Sequence, residues 1–286
     1  MASRERSTAS SVGNASLTVA KYAVVIFGAI VMVTPFLWMI DSSLMTSSEI
    51  TKQPPVWLPS SPQFQNFPQL LEVLPLPKLY LNSLIMTGGT VLGVLFTSSI
   101  AGFAFAKYEF PGKNILFYLI LATMMIPFFI TLIPVFYIIR QLSWINTFQG
   151  VIVPGMFSAY GIFLMRQFSI TIPDELLDAA RIDGASEPLI YWRIVRPLVT
   201  PALATLGTFT FIGSWNAFLW PLLVISSREM MTVPLGLNSL RLFAAEQVNI
   251  HLMMAGTVLS VLPTLIIFIF LQRYFIRGIA LTGLKG

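Results

Sequence analysis

The chain has 286 residues, 56% hydrophobic and only 10% charged, with no cysteine and one histidine, His251. Soluble domains carry about 25% charged residues, so this is an integral membrane protein; disulfides, thiolate metal sites and histidine-rich metal sites are excluded. The net charge of +5 is small, and the basic residues stand at the ends of apolar segments, where they read as topology signals and not as a nucleic-acid surface.

The mean hydropathy of +0.79 comes from six apolar segments. Residues 1–15 are rich in Ser and Ala and are expected to lack structure; residues 1–20 form an N-terminal tail. The first span covers 22–40 and ends at Asp41 without a small-x-small cleavage pattern, so it is expected to stay uncleaved. A loop at 41–78 follows, rich in Pro and aromatics, and is expected to be ordered and extended with Asn66-Phe67 near its middle. The second span lies within 79–106, the third within 114–139, the fourth within 141–165, the fifth within 198–227, and the sixth from about 252 to 272. Each is long enough to cross a hydrocarbon core of ~30 Å as a helix. The expected architecture is an all-α integral membrane protein: a six-span domain over 21–276 with a cytoplasmic insert at 166–197, and a tail at 277–286.

Orientation follows from the Lys and Arg residues of the connecting segments. With the N-terminus inside, twelve lie inside (Arg4, Arg6, Lys21, Lys107, Lys113, Arg166, Arg181, Arg193, Arg196, Arg273, Arg277, Lys285) and five outside (Lys52, Lys78, Arg140, Arg228, Arg241). Both termini, the insert and the 277–286 tail are therefore expected in the cytoplasm, and the 41–78 loop outside.

Within the spans, Gly88, Gly89, Gly93 and Gly102 read as close helix packing and not as a nucleotide loop. No span holds an internal Asp, Glu, Lys or Arg, which argues against a proton relay. Seven prolines (35, 127, 134, 154, 201, 221 and 263) fall within the spans; static kinks and a gating role both remain open. The fifth span carries Trp215, Asn216, Phe218 and Trp220. On a straight helix Asn216 would lie roughly 6 Å outside the midpoint between Arg196 and Arg228. An amide at that depth needs a partner, either a neighbouring helix or a ligand hydroxyl. The aromatic faces suit sugar C–H faces, helix packing or an interfacial belt. These four residues are the candidate substrate-pathway residues.

The insert is the one concentrated charged stretch. Pro173 suits a first helical position, and Asp174 and Glu175 suit the first turn beside the helix dipole. Leu176, Leu177, Ala179, Ala180 and Ile182 offer a short apolar face. Gly184 ends the helix, since a left-handed residue costs glycine nothing, and Ser186 with Pro188 restarts it. Two short helices meeting at a bend are expected.

The run Leu176-Leu177-Asp178-Ala179-Ala180-Arg181-Ile182-Asp183-Gly184-Ala185-Ser186, with Ile194, Val195 and Pro197, resembles the EAA loop of ABC importer permeases. Trp215-Asn216-x-Phe218-Leu219-Trp220-Pro221-Leu222 and Gln272-Arg273-Tyr274-Phe275-x-Arg277-Gly278 followed by Gly283-Leu284-Lys285-Gly286 extend the resemblance to the MalG-type permease of carbohydrate ABC importers. Two positions depart from it: Asp178 stands for the usual Glu, and Arg196 for the usual Leu.

The resemblance implies a type I ABC importer permease fold. It implies a second homologous permease, two ATP-binding subunits that carry ATP and Mg, and an extracytoplasmic solute-binding protein. The substrate would be a carbohydrate or a related glycoside, polyol or glycerol-phosphate solute, and the setting a bacterial or archaeal inner membrane with its lipid. Glu175, Asp178, Ala179, Ala180, Asp183, Gly184 and Ala185 would couple to the ATPase, and Gly283, Leu284, Lys285 and Gly286 would touch it. No cofactor, catalytic group or metal is expected on this chain itself. A self-sufficient carrier or channel and a membrane enzyme are the competing classes. The lack of intramembrane charge weakens the carrier, and the lack of a clustered acid, base or metal set weakens the enzyme.

Overall fold

A computed structural model describes residues 2–243 and 249–282, with side chains at 17–240 and 249–273. Its helices, in chain order, are α1 (Ala2–Ser43), α2 (Ser47–Ile50), α3 (Asn66–Val73), α4 (Leu76–Lys107), α5 (Lys113–Thr123), α6 (Phe128–Gln141), α7 (Phe148–Ile152), α8 (Ala159–Ile170), α9 (Asp174–Ile182), α10 (Glu187–Ile190), α11 (Arg196–Leu198), α12 (Thr200–Trp215), α13 (Leu219–Val224), α14 (Val233–Phe243) and α15 (Ile250–Thr282). Short 3₁₀ turns cover Val153–Gly155 and Arg228–Met230, and a π turn covers Tyr191–Val195. No strand occurs among the described residues.

Three helices are long and apolar enough to cross a membrane singly: Leu17–Ser43, Leu76–Lys107 and Ile250–Arg273. Three bent pairs bring the total to six if each crosses as one span: α5 with α6 (100°), Phe148–Gly155 with α8 (45°), and Glu187–Leu198 with α12 (77°). Their outward faces are apolar: Met32 is 77% exposed, Phe129 73% and Phe270 68%. Exposed apolar surface on this scale requires a non-aqueous neighbour, and lipid supplies it.

Prolines mark two of the three breaks. Pro127 precedes α6 with extended backbone, and Pro201 stands in the first turn of α12, where a missing N–H costs nothing. Pro35, Pro134 and Pro263 lie inside continuous helices. The third span is therefore broken at Pro127, with its two helices at 100° to each other. The backbone of 2–15 departs from expectation. It continues α1, because Ala, Arg and Glu extend an existing helix without a new nucleation cost.

The chain divides into two compact units. The first holds residues 1–73 and 240–259. Its 41–73 segment is ordered but folds into α2 and α3 instead of running extended. Thr46 and Glu49 cap α2 reciprocally, and backbone and side-chain hydrogen bonds from Thr46 and Ser60 hold the Glu49 carboxyl down at about 2. The Asn66 amide donates to the carbonyls of Ser43 (2.9 Å) and Met45 (3.0 Å), pinning the start of α3.

The second unit holds residues 74–239 and 260–286. Its core runs along α4, α8 and α12 through Val94, Phe103, Met165, Ala202 and Leu206. The glycines of α4 make this approach close. A β-carbon at Gly89 would meet Ile152, one at Gly93 Met156, and one at Gly102 both the Met165 Cβ (2.5 Å) and the Arg166 backbone nitrogen (2.8 Å). A β-carbon at Gly88 would meet nothing within 4 Å, so no close approach depends on that glycine.

Candidate functional site

The charged insert starts from local rules. Pro173 is the residue before α9, one position earlier than expected; its extended ψ of 135° cannot be a first helical residue. Asp174 and Glu175 occupy the first turn as expected, and Arg181 the last. The C-terminus forms a Schellman closure. The Ala185 N–H donates to the Ala180 carbonyl (2.9 Å), the Gly184 N–H to the Arg181 carbonyl (3.0 Å), and Gly184 takes φ +82°. Ser186 precedes α10 with extended backbone, although its hydroxyl makes no capping bond, and Pro188 lies in the first turn.

One face of the insert belongs to the core of the spans. Leu177, Ala180, Ile190, Tyr191 and Val195 share a cluster with Val94, Phe103, Met165 and Leu206. Burying a leucine such as Leu177 from water is worth about 1.5–3 kcal/mol. Ala180 is only 9% exposed, so it seats α9 on this core and cannot present surface to a partner. Glu175, Asp178, Ala179, Asp183 and Gly184 are exposed, Ala185 is half-buried, and Ile182, expected on the same apolar face as Leu177 and Ala180, is 86% exposed.

Polar contacts fix the insert to the end of α4. The Lys107 ammonium, 6% exposed, donates to the Ile172 carbonyl and binds Asp174 at 2.7 Å. Arg181 binds Asp178 and Glu187, each at 2.8 Å, and the Tyr108 hydroxyl donates to the Glu187 carboxylate. Burial pushes the Tyr108 phenol up to about 12, with Glu187 adding to it; hydrogen bonds from Arg181 and then Tyr108 hold the Glu187 carboxyl below its ordinary range. The Tyr191 hydroxyl donates to the Ser99 hydroxyl (2.6 Å) within α4, and Arg166 lies 4.3 Å over the Phe117 ring. The shortened acid Asp178 thus keeps an ion-pair role, and Arg196 packs 5.1 Å over Trp192. Lys107, Tyr108 and Glu187 were missed in the sequence; they are distant in the chain, and only folding brings them together.

The Glu187 contacts set a pH dependence. A carboxyl whose folded pKa is lowered stabilises the fold above its ordinary range and loses that contribution as pH falls through the lowered value. Exposed pairs of this kind are worth about 1 kcal/mol or less. Glu187→Gln should therefore unfold slightly earlier than wild type at pH 7, and thermal unfolding in detergent should show the gap closing in acid. A gap independent of pH would assign Glu187 a purely steric role.

The four aromatic and amide residues separate. Trp215 is 1% exposed, stacks on Phe211 (5.7 Å, 9°) and donates its indole N–H to the Ser260 carbonyl (2.9 Å); it is a packing residue. Asn216 ends α12, and its amide donates back to the Ile212 carbonyl (2.9 Å), so its partner is its own helix. Phe218 is exposed at the break before α13. Trp220 alone lines a cavity of about 350 Å³, shared with Ser83, Thr87, Thr131, Ser214 and Thr232. Residues 283–286 lie outside the described residues.

The described residues form an all-helical, multi-span unit whose charged insert shares one core with its spans, the architecture of a membrane-embedded component. Residues 89–281 match the family described as binding-protein-dependent transport system inner membrane component, and the chain belongs to that family. It is 41% identical to the arabinooligosaccharides transport system permease protein AraQ of Bacillus subtilis (strain 168) over 209 residues, 73% of this chain and 74% of the relative. It is 31% identical to the sn-glycerol-3-phosphate transport system permease protein UgpE of Yersinia pestis bv. Antiqua (strain Antiqua) over 264 residues, 90% of this chain and 94% of the relative. It shares its fold with a chain from the crystal structure of a bacterial ABC transporter involved in importing the acidic polysaccharide alginate (TM-score 0.79, 23% identity, 91% of this chain and 96% of that one). The type I ABC importer permease fold is the one observed. The chain is a multi-pass component of an inner-membrane transport system.

Proposed function

We propose that the chain is one permease half of an ATP-driven carbohydrate importer, and that residues 174–197 couple it to a separate ATPase. The observation that carries this reading is the insert itself. Its inner face is continuous with the core of α4, α8 and α12, while Ala179, Ile182, Asp183 and Gly184 remain outward. A force applied to that outer face reaches the spans through packed side chains, because close-packed interiors transmit strain.

The names of the relatives support a polyhydroxyl substrate, an oligosaccharide or a glycerol phosphate. The completed assembly has a second permease, two ATP-binding subunits holding ATP and Mg, and an extracytoplasmic binding protein. The twelve-to-five distribution of Lys and Arg supports both termini and the insert in the cytoplasm.

Co-purification tests the reading. A tagged chain carrying a reporter after Gly286 should bring down an ATPase and a second permease, with the reporter active in the cytoplasm. A chain that transports alone, or an exported reporter, would overturn it.

A further inference from the structure

A second cavity, of about 820 Å³, is walled by α4, α12, α15 and the end of the insert, all within the second unit. Leu92 and Phe96 of α4 form part of its wall and are 71% and 58% exposed, so the cavity is open at its side. It adjoins the apolar outer surface of α15, where the exposed Phe270 precedes the lining Leu271. On α12 the wall recurs at Thr200, Leu203, Ala204, Gly207 and Phe211, one stripe of a helix. From residue 200 to residue 211 that stripe runs roughly 16 Å at ~1.5 Å per residue, about the depth of one leaflet of a ~30 Å hydrocarbon core. Arg196 lines the same cavity just before the stripe begins, exposed and held 5.1 Å over the Trp192 ring. No Asp or Glu lines the cavity, and among the described residues Arg196 has no carboxylate partner.

We propose that this cavity binds an anionic phospholipid of the surrounding membrane, with one acyl chain along the α12 stripe and the phosphate on Arg196. The two ends of the cavity match the two ends of that molecule: a leaflet-deep apolar slot, and a single cation at its mouth. A guanidinium pairs with phosphate oxygens through two parallel hydrogen bonds. The tail gains little by exchanging lipid for apolar side chains, so selection falls on the headgroup. A zwitterionic headgroup brings its own cation beside the phosphate and competes with Arg196 for it. A water-soluble anion would leave the apolar walls unfilled. The site also touches the joint between insert and spans, since Tyr191 forms part of its wall and bonds Ser99 of α4.

The complete transporter, purified in detergent, is titrated with phosphatidylglycerol and separately with phosphatidylcholine of the same chains, and bound lipid is counted by native mass spectrometry. Wild type should bind phosphatidylglycerol more tightly than phosphatidylcholine. Arg196→Gln should weaken phosphatidylglycerol about fivefold, the contribution of one cation near a membrane surface, and leave phosphatidylcholine unchanged. Arg196→Lys should keep most of the affinity. Arg193→Gln should bind as wild type, because Arg193 is exposed but forms no part of the cavity wall. Equal binding of the two lipids by wild type, no change in Arg196→Gln, or the same loss in Arg193→Gln would overturn the site. A label at the open side identifies the occupant. The chain has no cysteine of its own, so Leu92→Cys can carry a benzophenone, read on the peptide that contains residue 92. Irradiation in vesicles containing phosphatidylglycerol should give lipid adducts. Adducts to another subunit would put protein in the cavity and overturn the proposal.

Discussion

Gly102→Leu is expected to leave almost no folded protein in the membrane. A β-carbon at this position comes within 2.5 Å of the Met165 Cβ, 2.8 Å of the Arg166 backbone nitrogen and 2.9 Å of the Met165 carbonyl carbon. None of these atoms can rotate away, since two are backbone and the third is fixed to it. The helix pair α4 and α8 must therefore separate, and with it the core that also seats the insert. Overpacking costs about 1–3 kcal/mol where side chains can adjust; Gly102→Ala belongs at the upper end of that range and leucine beyond it. Two further glycines of the same helix grade the effect. At Gly93 two of the three obstructing atoms lie further out on the flexible Met156 side chain and only its Cβ (2.8 Å) is fixed to the backbone, so Gly93→Ala should be milder. At Gly88 there is no obstruction, so Gly88→Ala should be neutral. Membrane yield and thermal unfolding in detergent would measure the series. Wild-type values for Gly102→Leu would mean that α4 and α8 do not pack as described.

The helix packing of Gly89, Gly93 and Gly102 was legible because small residues at helical spacing in an apolar segment carry a direct meaning. The Gly184 turn was legible for the same kind of reason: a glycine after an amphipathic run and before Ser-x-Pro has few other uses. Helical phase was harder. Ala179 and Ala180 are adjacent and chemically identical, yet one is exposed and the other holds the core. Only the three-residue step from the buried Leu177 distinguishes them. Trp215 and Trp220 posed the same difficulty. Trp215 finds a carbonyl forty-five residues away in the chain, whereas Trp220 lines a cavity whose other walls include 83–90, 128–135, 151–155 and 232. No local pattern announces a cavity assembled from distant segments. The 100° turn between α5 and α6 was hidden by composition, since the residues between the two helices, 124–127, are all apolar. Pro127 was its signal, because the residue before a proline leaves the helical region.

Gly184→Asp should give the converse of the Gly102 result, a chain that folds and inserts but does not couple. The φ of +82° puts a side chain here in the left-handed region, at a cost of roughly 1 kcal/mol. A carboxylate just past a helix C-terminus adds a small unfavourable dipole term. Neither suffices to unfold the unit, and a β-carbon at Gly184 meets nothing among the described residues within 4 Å. The space it enters is the space the proposed ATPase partner would occupy. Ala179→Trp should act alike by bulk, since Ala179 is exposed on the same outer surface. Ala180→Trp is the control: its site is buried, so it should lower membrane yield as Gly102→Leu does, and its loss of coupling would be secondary. Pull-down of the ATPase and substrate-stimulated hydrolysis in vesicles measure the outcome. A fall of about tenfold or more is expected for Gly184→Asp and Ala179→Trp, equivalent to ~1.4 kcal/mol of lost docking. Because Lys107 and Tyr108 tie the insert to α4, a weakened dock removes the input while leaving that connection intact. Normal binding and normal hydrolysis in both exposed-face variants would reduce residues 174–197 to a surface loop that braces the spans.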